Sequence, residues 1–311
     1  MLWNREWRYS KWCINHLPDN GRGPDRRKGE FFMTTAPMCP IGKLETLLLA
    51  TDMSEFSDGA IREAIAFASK CSSKIHASMT LETNPEYETV GSNVFAMEEK
   101  EAMAHLQAIK ARCEREGITC DISLHESDET ADVLVEEAAA IKADMIVIGR
   151  RGRKGMAKAF MGETAASVIG HAPCKVLVVP RAAQIDYRNI LVAVDGSAHA
   201  QAAVEEAIAI AKRTGSSLIT LSAMRNAGER EEARKHAEAA AETAWKAGVP
   251  AEAVTPTGRS ADAIVETAAG RGVNLIVMGT YGRTGVKKLF MGSATEKVIG
   301  SAGCAVLVVK A

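Results

Sequence analysis

From Leu44 to the C-terminus, short apolar runs alternate with stretches whose apolar residues recur every three or four positions. The runs are rich in Val, Ile and Leu and show no polar alternation, the pattern of parallel strands covered on both faces. They predict strands at about 45–51, 74–80, 119–124, 144–148 and 174–179, then at 189–194, 216–223, 251–255, 274–278 and 304–309. The intervening periods predict helices at about 57–72, 95–116, 130–142 and 163–170, then at 198–213, 229–247, 260–270 and 293–300. Strand–helix alternation of this kind predicts an α/β fold with a doubly wound parallel sheet. Right-handed crossovers then place helices on both faces.

The pattern is written twice. Leu47-Leu48-Leu49-Ala50-Thr51-Asp52 is matched by Ile190-Leu191-Val192-Ala193-Val194-Asp195, and Ile146-Val147-Ile148-Gly149 by Ile276-Val277-Met278-Gly279. Phe160-Met161-Gly162 is matched by Phe290-Met291-Gly292, and Val176–Val179 by Val306–Val309. Asp52 and Asp195 are 143 residues apart, whereas Gly149 and Gly279 are 130 apart, so the second copy is 13 residues shorter between its first and fourth strands. The extra residues are expected within Glu82–Phe95. A regular duplication predicts two domains, 44–180 and 189–311, joined by a linker at 181–188 and preceded by an extension at 1–43.

Composition narrows the function classes. The 311 residues carry 38 Lys+Arg against 39 Asp+Glu, which excludes a globally basic chain held to nucleic acid by phosphate neutralisation. No run approaches the roughly 18 apolar residues of a spanning helix. The seven cysteines are scattered without a CxxC pair, and are expected as reduced thiols of a cytoplasmic protein. Cys174 and Cys304, each just before a last strand, are expected to be buried as small apolar groups. The seven histidines show no metal-ligand spacing.

Residues 1–32 differ from the rest, with Trp3, Trp7, Trp12 and the basic run Arg26-Arg27-Lys28. The Trp3/Trp7 spacing could set two rings on one helix face at a membrane surface. The preferred reading is that Met33 is the true start, because Lys28–Phe32 could be encoded by a purine-rich stretch like a bacterial ribosome-binding site.

Two features fall at strand ends in each copy. The first strand ends in Asp52 or Asp195, and the fourth leads into a glycine-rich loop and a helix. Ligands of open α/β sheets bind at the carboxyl ends of strands, where the strand order reverses. Glycine permits close backbone approach, and free N–H groups at a helix start favour phosphate. The Ser293 hydroxyl could donate to that phosphate or cap the helix. Asp195 could accept from two ribose hydroxyls or cap the helix near Ala198. There is no GxxxxGK[ST] run, no GxGxxG after a first strand, and no GxSxG.

The spacing G-x2-G-x9-G-[S/T], with the opening aspartate and the closing apolar strand, resembles the universal stress protein family in its tandem form. Gly279, Gly282, Gly292 and Ser293 match it fully. The resemblance implies a Rossmann-like, adenine-nucleotide α-hydrolase-like fold of two repeated five-stranded units. It implies ATP, with magnesium, as ligand of the second unit. The adenine would lie near Ala193, Val194 and Ala223, the ribose at Asp195, and the phosphates at the glycine loop with Arg283 and Ser293. In the first copy Asp52, Gly149, Gly152 and Gly162 keep the pattern, but Glu163 stands where Ser or Thr belongs. A carboxylate there repels phosphate, so a degenerate first site is expected, although Arg150, Arg151, Arg153, Lys154 and Lys158 make its loop basic.

The resemblance implies a stress-response regulator in the cytoplasm, governed by nucleotide and acting on an unidentified protein partner. Two alternatives stand beside it: a nucleotide-independent interaction module, and an enzyme limited to slow ATP hydrolysis. No catalytic residue or protein metal ligand is nominated. The equivalent last strands are expected to pair antiparallel within the chain, giving an internal pseudo-dimer that acts as a monomer or as a homodimer.

Overall fold

The computed structural model describes residues 38–82, 92–152, 161–282 and 291–311. Met33 and the N-terminal tryptophans lie outside the described residues, as do Arg153, Lys154, Lys158 and Arg283. The first half contains β1 (Thr46–Ala50), α1 (Asp58–Cys71), β2 (Lys74–Leu81), α2 (Ser92–Arg115), β3 (Cys120–Glu126), α3 (Thr130–Ala140), β4 (Met145–Gly149), α4 (Glu163–His171) and β5 (Lys175–Val179). The second contains β6 (Asn189–Ala193), α5 (Ala198–Thr214), β7 (Ser217–Leu221), α6 (Arg230–Lys246), β8 (Ala251–Val254), α7 (Ser260–Gly270), β9 (Leu275–Gly279), α8 (Ser293–Ser301) and β10 (Ala305–Val309). Short 3-10 turns at Glu55–Ser57 and Ala227–Glu229 precede α1 and α6.

All ten strands form one sheet in the order β3-β2-β1-β4-β5-β10-β9-β6-β7-β8. Each half is parallel and has the same internal order. The halves meet where β5 and β10 pair antiparallel, with Leu177 opposite Leu307. The pairing expected of the two last strands is therefore present, and it removes two apolar sheet edges at once. Alternate strand residues feed opposite faces. Leu47, Leu49, Val192 and Leu307 join one core under α1, α2, α5 and α6; Leu48, Leu191, Val306 and Val308 join the other under α3, α4, α7 and α8.

Two cations tie the halves together at helix ends. Lys310 Nζ donates to Gly170 O (3.0 Å) and Ala172 O (2.6 Å), at the end of α4. Arg150 Nη1 donates to Ala302 O (2.7 Å), just past α8. Orphan carbonyls and the negative dipole end of a helix favour such cations. The segment between β5 and β6 packs down rather than hanging free. Ala183, Ile185 and Tyr187 are buried, Arg62 on α1 donates to Ala183 O, and the Tyr187 ring meets Phe67 edge-on at 6.1 Å.

The cysteines depart from expectation. Cys39 and Cys71 form a disulfide with a Cα–Cα distance of 4.3 Å, so these two are not reduced thiols. The segment before β1 returns past the end of α1, and 32 residues of separation hide a meeting that only packing creates. Cys113, Cys120 and Cys304 are free and buried; Cys174 is only partly so. Burial still pushes the thiols of Cys174 and Cys304 up to about 11. No helix among the described residues is long and apolar enough to cross a membrane.

Candidate functional site

The strand order sets β1 beside β4 and β6 beside β9. Each strand-end aspartate therefore faces the Gly-x2-Gly loop of its neighbour, at the carboxyl edge where the order reverses. In the second half, Asp195 Oδ1 accepts from Ser197 N (3.0 Å). Its Oδ2 is turned toward Gly282, where a Cβ would lie only 2.6 Å from it. In the first half, Asp52 Oδ1 accepts from Ser54 N (3.1 Å) and Ser54 Oγ (2.7 Å). A Cβ on Gly152 would lie 3.0 Å from Asp52 Oδ2. The second glycine of each pair thus gives up its side-chain space to the carboxylate.

The first glycines answer to a different neighbour. A Cβ on Gly279 would meet the His199 backbone at 2.7 Å, and one on Gly149 would meet Phe56 O at 2.8 Å. Gly162 N donates to Arg150 O (3.0 Å) and Gly292 N to Thr280 O (2.9 Å), folding each loop back on itself. Gly162 and Gly292 take the N-cap positions of α4 and α8. Glu163 and Ser293 consequently occupy the same first helical position, and Ser293 does not cap α8. Asp195 does not cap α5 either: Ser197 does, accepting from Ala200 N at 3.2 Å. Val194 is buried, with its N–H on Leu221 O (2.8 Å), while Ala193 and Ala223 are partly exposed beside it.

The two halves differ in charge. A cavity of about 440 Å³ in the first half is lined by five carboxylates, Glu82, Asp128, Glu129, Asp132 and Glu163. Arg150 and Arg151 begin the glycine loop of the same half, but Arg150 is spent on Ala302, and burial lowers its pKa. In the second half Thr280 replaces Arg150, with its Oγ1 3.2 Å from His199 Nδ1. The His199 ring also meets Tyr281 at 5.4 Å. Among the described residues no group of three His, Cys, Asp or Glu is arranged to hold a metal ion.

Two histidines at these sites went unnoticed in the sequence. His105 Nε2 lies 2.9 Å from Thr51 Oγ1, beside Asp52. Burial lowers its pKa, opposed by the charges of Asp52 and Asp58. His236 packs against Gly196, next to Asp195. Each lies fifteen residues before the first residue of the following strand, Cys120 or Ala251. Aligning the two repeats on that strand would have revealed them.

A parallel α/β unit whose strand order reverses beside a strand-end carboxylate and a glycine loop is the build of a doubly wound, Rossmann-like α/β domain. The universal stress protein family model matches residues 43–180 and again 186–310, and the chain belongs to that family. It is 26% identical over 288 residues to a universal stress protein of Mycolicibacterium smegmatis, covering 85% of this chain and 96% of that one. It is 39% identical over 136 residues to the universal stress protein in the QAH/OAS sulfhydrylase 3′ region of Thermus aquaticus, covering 40% of this chain and 99% of the relative. The crystal structure of a universal stress protein from Archaeoglobus fulgidus superposes with a TM-score of 0.69 at 19% identity, covering 85% of this chain and 96% of that chain. That likeness concerns the fold.

Proposed function

We propose that the second repeat binds ATP with magnesium and that the chain acts as a nucleotide-dependent regulator in stress response. The observation that carries this is the approach of the Asp195 carboxylate to Gly282, which reserves side-chain space for an acidic group on the edge where α/β sheets take ligands. Asp195 accepts the ribose hydroxyls, Ala193, Val194 and Ala223 border the adenine, and Gly279, Gly282 and Gly292 let the phosphates approach the backbone. Ser293, at the first position of α8, adds a hydroxyl to the free N–H groups there. Arg283 would supply a counter-charge. Magnesium would be held by the phosphates and water rather than by a protein cage.

The first repeat is read as a weak or empty site. Glu163 sits where Ser293 sits, and the cavity beside it is acidic. A triphosphate meets like charge there. The regulated partner is a protein whose affinity changes with the nucleotide state.

Calorimetry on the full chain tests the reading. One ATP per chain is expected with magnesium. Ser293→Glu should weaken it roughly tenfold to a hundredfold, the worth of a charge-assisted contact. Glu163→Ser should add a weaker second site. Two equal sites in the wild type would overturn the asymmetry, and none would favour a nucleotide-independent interaction module.

A further inference from the structure

The paired histidines are used differently in the two repeats. His105, on α2, is committed to Thr51 Oγ1 at 2.9 Å. The residue matching Thr51 is Val194, which has no hydroxyl to offer. No described residue hydrogen-bonds His236, which is half-exposed on α6. Its ring nevertheless reaches the turn after β6. A Cβ on Gly196 would lie 2.5 Å from His236 Nε2, 3.0 Å from Cδ2 and 3.1 Å from Cε1. Gly196 has φ of +81°, and the matching Met53 has φ of +61°, so both turns are left-handed. Only in the second repeat is the turn a glycine, and only there can the imidazole tip close on the backbone beside the aspartate.

We propose that His236 is a ribose-contacting residue of the second-repeat site, hydrogen-bonding the sugar hydroxyls that Asp195 also takes. The inference rests on the nucleotide reading above. An ionised carboxylate only accepts, so it uses the hydroxyl protons of a vicinal diol and leaves the oxygen lone pairs unmet. An imidazole N–H donates to such a lone pair. His236 borders the turn after Asp195, so the sugar that this carboxylate takes is the group it meets. The first repeat, with its histidine already satisfied by Thr51, lacks this donor as well as the serine.

The test is calorimetric titration of the full chain with ATP, 2′-deoxy-ATP and 3′-deoxy-ATP, each with magnesium. His236→Ala should weaken ATP roughly threefold to tenfold, the net worth of one hydrogen bond. The same variant should bind at least one deoxy analogue as well as the wild type does, since the contact is then already missing. His236→Gln, which keeps a donor, should recover part of the ATP affinity. Thermal melting without ligand should agree between the wild type and both variants, because position 236 is partly exposed and Ala suits a helix. Wild-type ATP binding with an unaffected His236→Ala overturns this inference and leaves the nucleotide reading standing. Equal losses for ATP and both analogues show a contact elsewhere than the ribose and overturn it too. A wild type that binds no ATP overturns both.

Discussion

Glu137 on α3 is held by three side chains of the first repeat. His76 Nε2 (2.8 Å), His125 Nε2 (3.2 Å) and Ser123 Oγ (2.6 Å) all donate to its Oε1. Burial alone would raise its pKa, but hydrogen bonds from His76, Ser123 and His125 outweigh it and hold the carboxyl at about 2. In the second repeat Ile219 takes the place of His76 and Thr267 that of Glu137, so the fold does not need the cluster. A depressed carboxyl contributes stability that is fully present above the ordinary glutamate range. That contribution fades as pH falls from about 5 toward 2. At neutral pH it should amount to roughly 2–3 kcal/mol. Denaturant midpoints measured across pH should show Glu137→Gln less stable than the wild type at pH 7 and the two converging near pH 2. A constant gap at every pH would show that the carboxylate charge is not the cause.

At the scale of elements, the segment before β1 is fastened to the end of α1 by Cys39–Cys71. A cross-link closing a loop of this length restricts the unfolded chain and contributes about 3.7 kcal/mol in the chain-entropy model. Cys71→Ser should therefore lower the melting temperature by several degrees, and a reductant should lower that of the wild type to match. A wild type indifferent to reductant would show that the bond adds nothing. The helices α4 and α8 carry a second lesson. Each starts at a glycine cap beside a candidate site and ends on a cation from the opposite half, Lys310 or Arg150. Both ends of these short helices are thus tied, one to the loop that would take phosphate and the other to the opposite half.

For the whole molecule, the continuous sheet predicts that the two halves unfold as one unit. Leu177 and Leu307 face each other across the antiparallel junction and are each 1% exposed. Leu307→Asp would bury an unpaired charge there, at a cost of at least about 3 kcal/mol. The expected outcome is a lower melting temperature for both halves, followed as a single shifted transition by hydrogen exchange in β1 and β6 together. Loss of protection in β6 alone would show that the halves unfold separately. Arg150 has the same meaning at this scale: a residue of the first glycine loop is spent on holding the second half.

Much of this was legible in the chain. The apolar runs placed every strand to within a few residues, because burial on both faces leaves a local mark that needs no partner to be seen. The duplication exposed the equivalence of β5 and β10, and the glycine spacing marked Gly279, Gly282 and Gly292 as places of close approach. Other features required the tertiary structure. Cys39 meets Cys71, and His105 and His236 reach the ends of β1 and β6, only because helices cross the sheet at angles that bring distant positions together. The cap of α5 went to Ser197 rather than Asp195 because a left-handed turn at Gly196 aims the aspartate at the glycine loop. Periodicity along a chain records which face of an element is buried. It carries no record of which side chain from another element fills the space opposite, and that is where the site's chemistry is decided.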